Sequence, residues 1–257
     1  MIFASIRRYF EILGALLRRE EESRRHAPMD SIANLLEPVF LIVTISFVFY
    51  FLGRRQISPL GGPPVLFYAT GFFPLYFFIY ISRRMRRAID APKRRFPVEQ
   101  RLDHIIVHII VRIIDYAILG ILLFGGLYLL VTADAIPQDM VKLLLAGVAI
   151  VALGFGWGIL NLILSRKSRI WSFLFPAVSR TLVIFSGVFF VPDFLSPATR
   201  EVLAYNPLLH AVALFKLGFY PHYPAIVLNT TYLAYCAISA VFFGVLIERL
   251  TRRSEGR

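Results

Sequence analysis

The chain has 257 residues, of which 58% are hydrophobic and only 17% charged, with a mean hydropathy of +0.68. A water-soluble domain carries roughly 45–50% apolar and about 25% charged residues. The apolar excess is too large for one globular core, so a soluble enzyme or a DNA-binding domain is excluded despite the formal net charge of +12. The single cysteine, Cys236, lies in an apolar run and reads as a small core residue.

Ahead of the first apolar run, Ile2, Phe3, Ile6, Phe10, Leu13 and Leu17 recur at helical spacing, with arginines on the other faces. Arg7, Arg8 and Glu11 interrupt what would be the apolar region of a signal peptide, and no small-residue cleavage site follows. Residues 1–30 are expected to form an amphipathic helix in the headgroup layer of a membrane. A soluble helix packed on a partner is the other reading. Six apolar runs follow, at residues 34–52, 65–81, 105–131, 141–164, 170–191 and 225–247. Each reaches or approaches the ~20 residues that a bilayer core of about 30 Å requires. The second is short and contains Pro74, which is expected to kink it.

Six spans put both termini on one side, and the charges test that count. Of the 28 lysines and arginines, 21 fall in the N-terminal arm, the second and fourth loops and the tail, against 5 in the remaining loops, Lys142 and Lys216 among them. The positive-inside rule makes the basic side cytoplasmic. A miscounted span would have mixed the two sets, and the basic balance needs no nucleic acid to explain it.

Two segments stand out between the spans. The second cytoplasmic loop, residues 82–103, opens with Arg83, Arg84, Arg86 and Arg87 and continues through Lys93, Arg94, Arg95, Phe96, Pro97 and Val98. A basic extension capped by a short apolar knob suits docking into a groove on a soluble partner; contact with anionic lipid is the plainer reading. The last outer loop, residues 192–224, carries five prolines around two short helical stretches, 196–204 and 208–219. The second is apolar but too short to span, so a re-entrant or interfacial helix pair is expected. Backbone of that kind at membrane depth must be buried in protein or line a wet cavity, which favours a conduit over a plain extracellular loop.

Charges inside the spans are the candidate functional groups. Arg112 and Asp115, three apart in the third span, share a helical face and fit a structural ion pair; a direct substrate contact is the alternative. Arg180 sits near the middle of the fifth span with no acidic residue in that span. A lone arginine there costs at least about 2.5–3.5 kcal/mol. It therefore needs a wet cavity, an acidic ligand or helix carbonyls, and a wet pathway for an anion is the favoured expectation. Aromatic residues are dense, above all in the second span, where packing explains most of them. Phe40, Phe47, Tyr50 and Phe173, on the first and fifth spans, remain open as surfaces along which a sugar chain could slide. His104 and His108 lie four apart but lack the glutamate of an H-E-x-x-H metal site. No phosphate-binding P-loop, G-x-S-x-G or C-x-x-C pattern occurs. The sequon Asn229-Thr230-Thr231 falls within the sixth apolar run and is discounted.

At this point the sequence resembles the membrane subunit of ABC-2-type exporters, and within them the capsule polysaccharide exporters of Gram-negative bacteria. Three segments carry the likeness: Arg95-Phe96-Pro97-Val98 with Leu102-Asp103 and Arg112; Ser186-Gly187-Val188-Phe189-Phe190; and Tyr205-Asn206-Pro207-Leu208-Leu209-His210 through Gly218-Phe219, similar to an Asn-Pro-Leu-x-His signature. The resemblance implies a homodimer with two separate ATP-binding cassette subunits, which would bind ATP and magnesium; this chain would bind no cofactor. It implies that Lys93–Val98 couples to the ATPase surface with the amphipathic arm nearby, and that the first and fifth spans border the pathway, which would place Arg180 in it. The cargo would be a lipid-linked, often acidic polysaccharide, handed on to periplasmic and outer-membrane export proteins. Lys93-Arg94-Arg95 departs from the more neutral approach expected there. O-antigen and teichoic-acid exporters share the architecture.

The expectation is thus an all-α membrane protein with six transmembrane helices, an N-terminal interfacial helix and a re-entrant pair around Asn206, Pro207 and His210, acting as an export permease in a bacterial inner membrane. An integral-membrane lipid- or glycan-processing enzyme would need a cluster of acid, base and nucleophile at one depth, and only Arg112 and Asp115 with the two histidines come near. A passive channel or scaffold would need no ATPase.

Overall fold

The computed structural model describes residues 14–18, 20–22, 28–51, 60, 62–84 and 101–255. Loop residues 85–100, most of the arm and the side chain of Tyr50 lie outside the described residues. Among the described residues eight α-helices carry the fold: α1 Pro28–Phe51, α2 Pro64–Arg84, α3 Arg101–Leu130, α4 Met140–Lys167, α5 Arg169–Phe185, α6 Pro197–Leu203, α7 Pro207–Phe219 and α8 Thr230–Glu255. The described part of the arm, residues 14–18 and 20–22, is helical as well, and among the described residues there is no strand. Among the described residues four helices, α2, α3, α4 and α8, are long and apolar enough to cross a membrane, while α6 and α7 form a pair bent by 102°. The apolar stretch of α1, Leu36–Val48, and the 17 residues of α5 are shorter than a full span.

Helix α2 is the central post. It is apolar on every face, as a helix surrounded by protein must be, and Phe67, Phe72, Phe73, Phe77 and Phe78 are all buried. Its aromatic rings weld neighbours together. Phe73 meets Phe124 of α3 at 5.5 Å and Phe215 of α7 at 5.9 Å, and Phe124 meets Phe219 at 4.5 Å. The aromatic density of the second apolar run is thus core packing. The helix continues through Pro74.

Helices α4 and α8 run side by side with their backbones in contact. Gly156 permits this: a Cβ built there would lie inside contact range of the Ala240 carbonyl oxygen and 2.8 Å from the Ala240 Cβ. Ala240 and Gly244, four apart on α8, both face Gly156, the small-residue spacing by which helices pack in lipid, where burial of apolar surface gives no advantage. Asp139 caps α4, its carboxylate accepting the N–H groups of Val141 and Lys142 at 3.0 and 3.1 Å. Those donors, the Lys142 backbone first, hold its carboxyl below the usual carboxylate range. Ser168 ends α4 through its N–H to Leu164 and starts α5 by accepting from Trp171, so the two helices reverse on a single residue.

Two boundaries differ from the hydropathy. The fifth run continues to residue 191, yet α5 stops at Phe185. The Ser186 hydroxyl folds back onto the Leu182 carbonyl, and Gly187 turns the chain at φ +69°, a conformation open to glycine. The sixth run starts at 225, yet α8 begins at Thr230, because Asn229 caps it by accepting the Tyr232 N–H at 2.8 Å. The sequon asparagine therefore lies at the helix entrance and not inside the span.

Replacing Gly156 by leucine is expected to drive α4 and α8 apart and cost at least about 1–3 kcal/mol. A drop in thermal midpoint, or loss of monodisperse protein in detergent, checks this; an unchanged midpoint would refute the close approach.

Candidate functional site

Polar groups in the bundle collect in three places. The first is the end where α2 and α4 finish and α3 begins. Arg112 of α3, 2% exposed, donates through Nη1 to the Tyr80 hydroxyl at 2.6 Å and to Asp115 Oδ2 at 2.9 Å, and through Nη2 to Glu20 Oε1 at 3.2 Å. Its guanidinium also lies 5.0 Å from the centre of the Tyr80 ring. His108, one turn earlier, has Nδ1 3.9 Å from the same Glu20 oxygen. Glu20 belongs to the N-terminal arm, so this ion cluster ties the arm to α2 and α3. Arg112 and Asp115 do meet, as their spacing indicates, and two opposing carboxylates compensate the buried cation.

The second place is the bent pair. Asn206 caps α7, its Oδ1 accepting the Leu208 N–H at 3.1 Å, while its Nδ2 donates to the Phe185 carbonyl at the end of α5. Pro207 follows at the first helical position, where its fixed φ suits the helix and its missing N–H leaves nothing unpaired. His210 Nδ1 accepts the Asn229 N–H at 3.1 Å, so the neutral ring carries its proton on Nε2 and donates to the Ala204 carbonyl at 2.8 Å. Fully buried Lys216 donates from Nζ to the Gly187 carbonyl at 2.8 Å and sits 3.6 Å from the centre of the Phe67 ring. Asn206, His210 and Lys216 thus fasten the ends of α5, α6 and α8 to α7.

The third place is an exposed face. Along α5, Phe173, Arg180 and Ile184 point away from the bundle, and Phe173 is 83% exposed. Arg180 has no ion-pair partner among the described residues. Along α1, Phe40, at 74%, and Phe47 are exposed with Val43 and Phe51. The structure therefore brings Phe40, Phe47, Phe173 and Arg180 to unpacked helix faces and buries Arg112 in an ion cluster. Asn206, Pro207 and His210 gather at one junction. Lys93, Arg94, Arg95, Phe96, Pro97 and Val98 lie outside the described residues. Among the described residues no group of three or more histidine, cysteine or acidic side chains could hold a metal ion.

Sequence reasoning missed several of these groups. Lys216, counted there as an outer-loop charge, is buried. Glu20 was one of three consecutive glutamates in the amphipathic arm. Asn161 accepts from Ser165 and from the Trp171 indole. Glu248 of α8 is fully buried, and neither carboxylate oxygen has a hydrogen-bond partner among the described residues. Only the apolar pattern around Lys216 could have flagged burial.

A model of the family described as ABC-2 type transporter matches residues 11–220. The chain is similar to a polysialic acid transport protein KpsM of Escherichia coli, 24% identical over 223 residues, which is 84% of this chain and 83% of the relative. It is also similar to the capsule polysaccharide export inner-membrane protein CtrC of Neisseria meningitidis serogroup B, 23% identical over 248 residues, 95% of this chain and 92% of the relative.

Two outcomes follow from the geometry. Arg112→Leu should destabilise the protein by about 3–5 kcal/mol, since it leaves the Asp115 carboxylate buried without its cation, and the double change Arg112→Leu/Asp115→Leu should recover part of that loss; thermal unfolding in detergent checks both. His210→Leu strands the Asn229 N–H and the Ala204 carbonyl and should cost about 1–3 kcal/mol for each; hydrogen exchange at the start of α8 should rise with it.

Proposed function

The chain belongs to the ABC-2 type transporter family, and we propose that it is the membrane subunit of an ATP-driven exporter that moves a lipid-linked, acidic capsular polysaccharide across the inner membrane. The functions of its relatives, polysialic acid transport and capsule polysaccharide export, support that cargo. In this reading the chain is no enzyme. Two ATP-binding cassette subunits hydrolyse ATP with magnesium, and Lys93–Val98 presses on them.

The observation that carries the proposal is Arg180. A guanidinium on an otherwise apolar helix face, exposed and without a partner among the described residues, is costly against lipid tails and suited to a wet, anion-carrying passage. A second copy of the chain, facing its own α1 and α5, would enclose such a passage between two Arg180 side chains, with Phe40, Phe47, Tyr50 and Phe173 as rings for sugar faces. The six-span reading belongs here too: α1 and α5 fall short as isolated spans, and a homodimer would shield both from lipid. Both termini and the loop 82–103 are then cytoplasmic by the positive-inside rule, and Asn206, Pro207 and His210 lie on the outer side, toward periplasmic and outer-membrane export proteins. Arg112 then steadies the pathway through its ion cluster instead of lining it.

In a strain that depends on this chain for its surface polysaccharide, Arg180→Ala should lower export by about tenfold, equivalent to about 1.4 kcal/mol of barrier, with membrane levels unchanged, and Arg180→Lys should retain most of it. Changing Phe96 and Pro97 to aspartate should leave ATP hydrolysis running while export stops. Quantified surface glycan with ATPase assays of the co-purified complex measures both; normal export in Arg180→Ala would sink the pathway role.

A further inference from the structure

Helices α4 and α8 touch at Gly156, yet beside that contact they leave a groove of about 800 Å³, within the range of about 300–1,000 Å³ usual for ligand pockets. It follows α8 from Thr230 to Arg249, a rise of about 28 Å and close to the thickness of a hydrocarbon core. Small side chains line it, Ala152 of α4 and Ala237 of α8 among them, next to the exposed Phe242 and Leu246. Every lining side chain is apolar except Thr230 and Arg249. Arg249 is exposed. The acid beside it in the chain, Glu248, is turned into the bundle and fully buried, and Arg249 has no ion-pair partner among the described residues.

Apolar walls do not choose an occupant in a membrane, because a lipid tail packs as well against another tail as against leucine. The guanidinium does. It stands at the rim of the groove with no carboxylate of the protein to neutralise it, and α8 continues with Arg252 and Arg253, so the potential there favours an anion. A guanidinium offers a planar fork of donors that fits phosphate oxygens. From Arg249 back to Ile238 the helix rises about 16 Å, half of a hydrocarbon core and the reach of one leaflet's acyl tail. A phosphate at the rim and a tail along the groove belong to one molecule. A zwitterionic headgroup sets its own ammonium against its phosphate, whereas an anionic one leaves the phosphate to the arginine. We infer that the Arg249 half of the groove binds one anionic phospholipid of the leaflet at the C-terminal end of α8, its phosphate on the Arg249 guanidinium and a tail along Leu246, Phe242 and Ile238. The ligand is a lipid of the bilayer and not the exported cargo.

The purified full chain is placed in phosphatidylcholine vesicles that contain no glycolipid. They are doped with either phosphatidylglycerol or phosphatidylcholine, each carrying a diazirine at the same position of one tail. After illumination, peptide mass spectrometry should find Ile238, Phe242 and Leu246 labelled about fivefold more by the phosphatidylglycerol probe, the worth of one cation at an anionic lipid surface. Arg249→Gln alters an exposed side chain and should bring that labelling down to the phosphatidylcholine level, while Arg249→Lys should retain most of the preference. Lys167→Gln removes an exposed charge at the C-terminal end of α4 and should leave the preference unchanged. Equal labelling by the two probes in the parent protein overturns the site. So does a preference that survives Arg249→Gln, or one that falls as far in Lys167→Gln.

Discussion

Hydrocarbon offers a peptide group nothing to bond with, so a chain can stop, turn or bend at membrane depth only where the protein supplies each partner itself. Around the bent pair α6–α7 the protein does supply such partners. The last turn of α5 is met by the Asn206 amide, the Gly187 turn by the Lys216 ammonium, the end of α6 and the start of α8 by the two nitrogens of His210. No apolar residue could take any of these places, because each position answers a specific donor or acceptor. A cation without an acid partner among the described residues is tolerable at Lys216 since a carbonyl dipole and the face of Phe67 surround it. These three residues do by hydrogen bonding what loop and solvent would do in a soluble protein.

The same constraint explains how much was legible in the residues alone. Helices announce themselves by hydropathy, and α3, α4 and the bent pair lie within a few residues of their expected places. The boundaries at Phe185 and Thr230 were hidden because residues 186–191 and 225–228 remain largely apolar after the backbone has turned; only Gly187 and Asn229 betray the change. The pairing of Arg112 with Asp115 was readable because both sit on one helix face. Glu20 was not, being 92 positions distant and brought in by the arm's path over the bundle. Lys216 followed the usual rule that a cation in a connecting segment meets water, and the rule failed because the segment dips into the protein. Arg180 was found because nothing in its own helix could offset it, and its exposed position in the isolated chain keeps that imbalance visible.

Charge and aromaticity divide the labour of the bundle. Aromatic rings of α2 fill the centre and leave no room for a passage within one chain. The charged side chains that stay inside are tied to partners at the end that holds Glu20 and Arg112, or to carbonyls in the bent pair; Glu248 alone stands apart, buried with both oxygens unsatisfied among the described residues. The outward faces of α1 and α5 remain without protein around them, as do those of α3 and α8. A single copy is therefore a filled post with several open helix faces.

The near-zero gap between α4 and α8 has a mechanical corollary. Two helices whose main chains touch at Gly156, Ala240 and Gly244 have no slack in which to slide or tilt relative to one another, and α2 is wedged against the same unit. Any opening and closing of the molecule would then fall to helices outside that stiff spine.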